Sequence, residues 1–192
     1  MIGEALIFLK HHLNERLTAQ AGGAPSESLE DKVVFVDGER MDPITFKLGA
    51  ITTLLINVEE EKVLRDADPY ARVDASGAPL RTQPTLRLNL YVLFVARFKQ
   101  YEHGLDYLGR IIQHFQSHKI LDHQSAPALD DRIAKLIMEL QTLAFSEQNE
   151  VWNALRTTYH PSVLYRVKLV AFSDPDAARV PVIRSVVAGV SP

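Results

Sequence analysis

The sequence has no cysteine, which removes disulfides, thiolate metal sites and thiol nucleophiles together. It leaves the compartment open, since a secreted particle can also lack cysteine. No apolar run reaches the roughly 18 residues that a membrane-spanning helix needs. No block of like charge is longer than Glu59-Glu60-Glu61, and 21 basic against 24 acidic side chains give a formal net charge of −3. So mild and mixed a balance argues against a nucleic-acid binder. Nucleophile elbow, phosphate loop and dinucleotide fingerprint are also missing. Ser26, Ser28 and Ser76 fall in loop-like stretches without a local base, although a triad assembled only in space would leave no such trace. The opening residues, Met1 to Lys10, look briefly like a signal peptide. Their apolar stretch follows Glu4 instead of a basic segment, and its spacing continues as a helix, so export by the general route is not expected.

What is present is an ordinary domain's material: 192 residues, 46% hydrophobic and 23% charged, enough for one sizeable core. Ile2, Leu6, Leu9, Leu13 and Leu17 recur at helical spacing and predict a helix over Met1 to Thr18, with His11, Asn14 and Glu15 off the stripe. Ala21 to Ser26 ends it in a loop. Val33 to Val36 reads as a short strand before the Asp37-Gly38 turn, and Ile44 to Leu48 as a further short strand. Ala50 to Glu60 alternates with both faces partly apolar, so it reads as a central strand. From Glu61 to Pro84 the chain is polar and broken by Pro69, Gly77, Pro79 and Pro84, which reads as a long exposed loop.

Thr85 to Phe98 gives the clearest pattern. Leu86, Leu88, Leu90, Val92, Phe94, Ala96 and Phe98 share one face at period two, with Arg87, Asn89, Tyr91, Leu93, Val95 and Arg97 on the other. At Tyr101 the period changes to a helical stripe of Tyr101, Leu105, Leu108, Ile111, Ile112 and Phe115, ending near His118. Asp130 to Thr142 fits a helix through Ile133, Leu136, Ile137 and Leu140, and a strand through Leu136, Met138, Leu140 and Thr142. Ser146 is a candidate N-cap for a helix to about Thr157, stopped by His160-Pro161. Val163 to Ala171 alternates as the last strand. The pattern suits an α+β domain with one mixed or antiparallel sheet and helices on its faces. It divides into a domain over 1–170 and an extended carboxy-terminal tail over 171–192.

Two clusters invite chemistry. His114 and His118 lie four apart on the second helix and could face one ion, with Asp122 or His123 as further ligands, in a histidine-metal hydrolase. No glutamate follows His114, however, and histidines near a helix end also favour its dipole. Glu59 and Glu61 share a face at the end of a strand while Glu60 points away. They read either as a solvated strand end or as carboxylates meeting arginines of a neighbouring subunit, with Arg87 and Arg97 as partners within the chain. Trp152 reads as a core residue, and Tyr159 and Tyr165 as half-buried rings with wet hydroxyls. No catalytic residue, metal ligand or cofactor is assigned. A generic adaptor or dimerisation module is the other reading that these residues leave open.

Four stretches, in order, carry a resemblance. They are Asn57 to Glu61; Asn89 to Phe94; Tyr101-Glu102 with Leu105, Leu108, Ile111, Phe115 and Gln116; and Trp152 to Leu155 running into Tyr159 to Tyr165. With Met1 to Leu6, they resemble the amino-terminal domain of the cap, or tail-terminator, proteins of extracellular contractile injection systems, such as the antifeeding prophage and the Photorhabdus virulence cassettes. The resemblance covers roughly residues 1 to 170. Residues 19 to 32 and 62 to 84 share nothing with it, and family members often continue into a further carboxy-terminal region. The resemblance implies a phage tail-terminator-like α+β fold, a strand for Ile133 to Thr142, and a hexameric ring on the inner tube that touches the last sheath ring. It supplies no catalytic residue. It also implies assembly in the bacterial cytoplasm and then a place in the injection particle. Expected partners are other copies of the chain, the tube protein and the sheath protein, with neither nucleic acid nor a membrane span. The candidate interface residues are Glu59, Glu60, Glu61, Arg65 and Arg87 around the strand end, and Val182, Ile183, Val186 and Val187 in the tail.

Overall fold

A computed structural model describes residues 1–20, 31–38, 43–61, 71–73, 79–81, 87–171 and 178–179. The chain runs α1 (Ile2–Gln20), β1 (Val33–Phe35), β2 (Ala50–Glu60), β3 (Ala71–Val73), β4 (Pro79–Arg81) and β5 (Arg87–Arg97). It continues with α2 (Tyr101–Ser117), β6 (Ile120–Asp122), β7 (Ile133–Gln141), α3 (Phe145–Ala154), β8 (Ser162–Ala171) and β9 (Ala178–Arg179). Six strands form one sheet in the order β1-β2-β5-β8-β7-β6, and β3, β4 and β9 form a second, small one. Only β1 and β2 are parallel; the other pairs of the large sheet are antiparallel. The sheet is therefore mixed and mainly antiparallel, as the alternation predicts.

Period two sorts the side chains of β5 between two cores. Leu90, Val92, Phe94 and Ala96 join Val167 and Leu169 of β8 and Leu136 and Met138 of β7 beneath α1 and α2. Ala5, Leu9, Leu13 and Leu17 of α1 and Leu108, Ile111 and Phe115 of α2 close that core from above. On the opposite face Leu93, Val95 and Leu164 pack with Phe46 and Trp152 of α3. The Trp152 ring meets Phe46 edge-on at 6.1 Å and stacks on His160 at 6.0 Å. Burying an aromatic ring of this kind contributes a few kcal/mol.

Several expectations need correction. The 61–84 stretch is not all loop, because it contains β3 and β4 as an antiparallel pair. Ile44 to Leu48 forms no strand; Phe46 instead lies buried under α3. Ser146 is inside α3. The helix begins at Phe145, where the Glu147 carboxylate accepts the Ala144 backbone N–H at 2.8 Å and satisfies one of the free donors of a helix start. Helix α3 also stops at Ala154, before His160-Pro161, and Arg156 then turns left-handed at φ 52°. Tyr165 is buried, and burial pushes its phenol up to about 12, whereas Tyr159 is well exposed. Asp130 to Thr142 resolves as a strand, since Leu136 and Met138 both face the helix-covered core.

Asn14, off the apolar stripe, is buried. Its side-chain amide accepts the Val33 N–H at 2.8 Å and donates to the Val33 carbonyl at 2.9 Å. Strand β1 is at the sheet's edge, so Asn14 pairs backbone groups that the sheet itself leaves open on that side.

Candidate assembly surface

The α3-covered face of the sheet is apolar at one end and polar at the other. Register explains the division. Leu54, Leu93, Leu164 and Gln141 stand opposite one another across β2, β5, β8 and β7. One pleat further along β5, the row is Asn57, Tyr91, Arg166 and Glu139. The next row holds Glu59, Asn89 and Lys168.

A bulge in β2 makes this alignment possible. Pairing steps from Leu55 opposite Val92 directly to Asn57 opposite Tyr91, so one extra residue switches which face the following side chains take. Without it, strict alternation would send Asn57 and Glu59 to the opposite face, under α1 and α2. The even alternation through Val58 expected from the sequence therefore does not hold past Leu55.

The polar rows are bonded internally. Tyr91 donates its hydroxyl to Glu59 Oε2 at 2.9 Å, and Asn57 Nδ2 donates to Glu59 Oε1 at 3.1 Å. Asn89 Nδ2 donates to Glu61 Oε2 at 3.2 Å. Arg166 donates through Nε at 3.0 Å and Nη2 at 2.6 Å to Glu139 Oε2, while Lys168 Nζ reaches Glu139 Oε1 at 3.0 Å. Partial burial works against the Glu139 charge, but hydrogen bonds from Lys168 and Arg166 hold its carboxyl below the ordinary value. The Tyr91 phenol is raised, first by desolvation and then by its bond to the Glu59 carboxylate. With side chains between a fifth and a third exposed for Glu139, Lys168 and Arg166, this is a half-wet, preorganised network, and each exposed pair in it contributes little stability.

Of the candidate interface residues, Glu59 lies in these rows, Glu61 just past β2 joins them through its bond from Asn89, and Glu60 points away; Arg87 stands in register with Val170 at the end of β5, and its carbonyl accepts the Glu61 N–H at 2.9 Å. Glu60 and Arg87 each make a further interaction. Arg97 donates to the Phe46 carbonyl at 2.6 Å. Arg65, Val182, Ile183, Val186 and Val187 lie outside the described residues. Tyr91, Arg166, Lys168 and Glu139 escape a sequence reading because they meet only through cross-strand register. The alternation of β5 and β8 was the one available signal, since it puts their polar residues on a shared face.

The histidines behave differently from a metal pair. His114 turns inward and its Nε2 lies 2.9 Å from Nε2 of His12. His118 stacks on His114 at 4.8 Å, and its Nδ1 lies 3.2 Å from the His114 carbonyl. Among the described residues, no three His, Cys, Asp or Glu side chains gather as a metal-holding group. No described helix is long and apolar enough to cross a membrane.

Comparison with known proteins places the fold. The sequence model described as the Pvc16 N-terminal domain matches residues 7–185. No curated protein matches the chain. Among solved structures, the fold is similar to the sheath/tube terminator of an extracellular contractile injection system, PVC, in the extended state, with a TM-score of 0.62 and 12% identity over 100% of this chain and 64% of that one. It is also similar to the tube-terminating cap of the anti-feeding prophage, with a TM-score of 0.52 and 15% identity over 74% of this chain and 50% of that one. The chain thus spans between half and two thirds of the length of these structures.

Proposed function

Since the chain belongs to the Pvc16 N-terminal domain family, we propose that it is the structural cap, or tail terminator, of a contractile injection system. Copies of it form a ring on the end of the inner tube, contact the last sheath ring and end tail growth. The observation that carries this reading is the fold: the whole chain superposes on a sheath/tube terminator. The subunit does no chemistry in this role. It is made and assembled in the bacterial cytoplasm and leaves as part of the particle.

A stack of rings ends when one ring matches the exposed end below it and offers no copy of that end above. Identical subunits joined head to tail close into such a ring when their rotation closes, and six copies are proposed here. Each joint needs to bury on the order of 1,000 Å² in total. The acidic end of β2 and the polar rows beside it supply one surface. A neighbour's arginines would meet carboxylates already held in place by Tyr91, Asn57 and Asn89, so little side-chain entropy is lost on docking. The stretch from 171 to 192, with Val182, Ile183, Val186 and Val187, supplies another by lying along a neighbouring subunit or the sheath as an added strand.

Electron microscopy of particles made without this protein tests the reading. Tails of uncontrolled length, returned to one length by supplying the gene, are expected. Tails of unchanged, uniform length with intact ends would exclude the cap role.

A further inference from the structure

The network on the sheet leaves a second polar cluster unused, on the opposite side of the molecule. His12 of α1 and His114 of α2 are both buried, and their Nε2 atoms stand 2.9 Å apart. We propose that this pair makes the seam between α1 and α2 an acid-sensitive joint, holding α1 on the sheet at neutral pH and releasing it when the pair takes up protons.

The chemistry lies in the count of hydrogens between the rings. At neutral pH one Nε2–H donates to the bare Nε2 of the other ring. A first proton from solvent can go to the outer nitrogen of the donor ring and leave that bond intact. A second must occupy the acceptor's lone pair, and two N–H groups then face each other across 2.9 Å. The surroundings oppose even the first charge. Phe8 stacks on His12 at 5.4 Å and Phe115 tilts against His114 at 5.2 Å. Phe115 in turn packs on Tyr165 of the sheet, a phenol that stays neutral throughout this range. From α1 the Arg16 guanidinium faces the pair and disfavours protonation of both rings, while Glu15 favours it at His12. From α2 His118 disfavours it at both.

Burial first, and then Arg16, hold His12 below its ordinary value; burial, then His12, His118 and Arg16, bring His114 down to about 4. The sign follows. A histidine lowered in the folded state binds fewer protons than its unfolded counterpart below pH 6.5, so its contribution is complete above that value and is lost as pH falls toward about 4. The consequence reaches the sheet, because Asn14, two residues beyond His12, is the side chain that holds the edge strand β1. Acid would loosen helix and edge together.

The free chain of residues 1–192 serves for the test, so its outcome does not depend on the cap reading. Imidazole resonances and backbone amide exchange are followed by NMR from pH 7.5 to 4. We expect both rings to titrate below the ordinary histidine value. Protection factors in α1 should fall by up to about tenfold per pH unit for each proton taken up on opening, while α3 changes far less. The variant His114→Gln keeps a donor and an acceptor for His12 but does not titrate, and it should flatten the α1 response. Ordinary titration of both rings, or α1 losing no more protection than α3, overturns the proposal. If His114→Gln does not fold, the wild-type titration and exchange decide alone.

Discussion

Asn14 shares the buried side of its helix with Ala5, Phe8, Leu9, His12, Leu13 and Leu17, and it spends both halves of its amide on one backbone unit, Val33. Val33 is fully buried, so water cannot replace either bond. Replacing Asn14 by Ala leaves a buried N–H and a buried C=O unpaired, and each such loss costs about 1–3 kcal/mol. Asn14→Ala is therefore expected to lower the urea midpoint clearly without changing the slope of the transition. An unchanged midpoint would mean that β1 adds nothing to the fold. This residue marks where sequence reading runs out. Periodicity places Asn14 off the apolar stripe and hence toward solvent, because a stripe registers hydrophobicity and not the backbone that a polar side chain can pair. The same blindness hid His12, whose partner is 102 positions away.

Helix α2 shows the same limit between elements. Its apolar stripe is plain in the sequence, but how close it comes to the sheet is not. A Cβ on Gly104 would stand 3.3 Å from the Ala96 Cβ and 3.4 Å from a Phe98 ring carbon, tighter than ordinary packing. Gly104→Val adds branched bulk at that approach, and overpacking of this kind costs about 1–3 kcal/mol. Thermal unfolding should show the loss, and full stability in the variant would show that α2 can ride higher on β5. Long strands with clean alternation, β5 and β8, were legible because each side chain commits to one of two faces. Strand β7 was not, since Ile133, Leu136, Ile137 and Leu140 also satisfy a helix; what decides is pairing with β8, a non-local term. The bulge in β2 was equally hidden. Nothing in Leu54-Leu55-Ile56-Asn57 announces an extra residue, yet it delivers Glu59 to Tyr91. The acidic strand end was visible; its partners depended on that register shift.

At the scale of the whole molecule, a carboxy-terminal stretch follows the last strand of the large sheet. The last strand of the large sheet ends at Ala171, and every described residue of both cores lies at or before it. Beyond it, Ala178–Arg179 forms β9 against β4 of the small sheet. Removing residues 172–192 therefore takes β9 from the small sheet and no strand from the six-stranded one. The truncated chain is expected to unfold at a denaturant midpoint close to that of the full chain, since it loses none of the described core side chains. If the carboxy-terminal stretch also lies on a neighbour or on the sheath, the same truncation should weaken ring formation and sheath attachment. Assembled particles would then carry the cap at reduced occupancy, as mass measurement and electron microscopy of purified tails would record. A truncated chain that is stable and still caps every tail would place the joints elsewhere, at the polar rows beside β2. A chain that fails to fold would instead mean that the small sheet supports the large one. Stability measured alone and occupancy measured on the particle distinguish these outcomes, because loss of a joint lowers only the second.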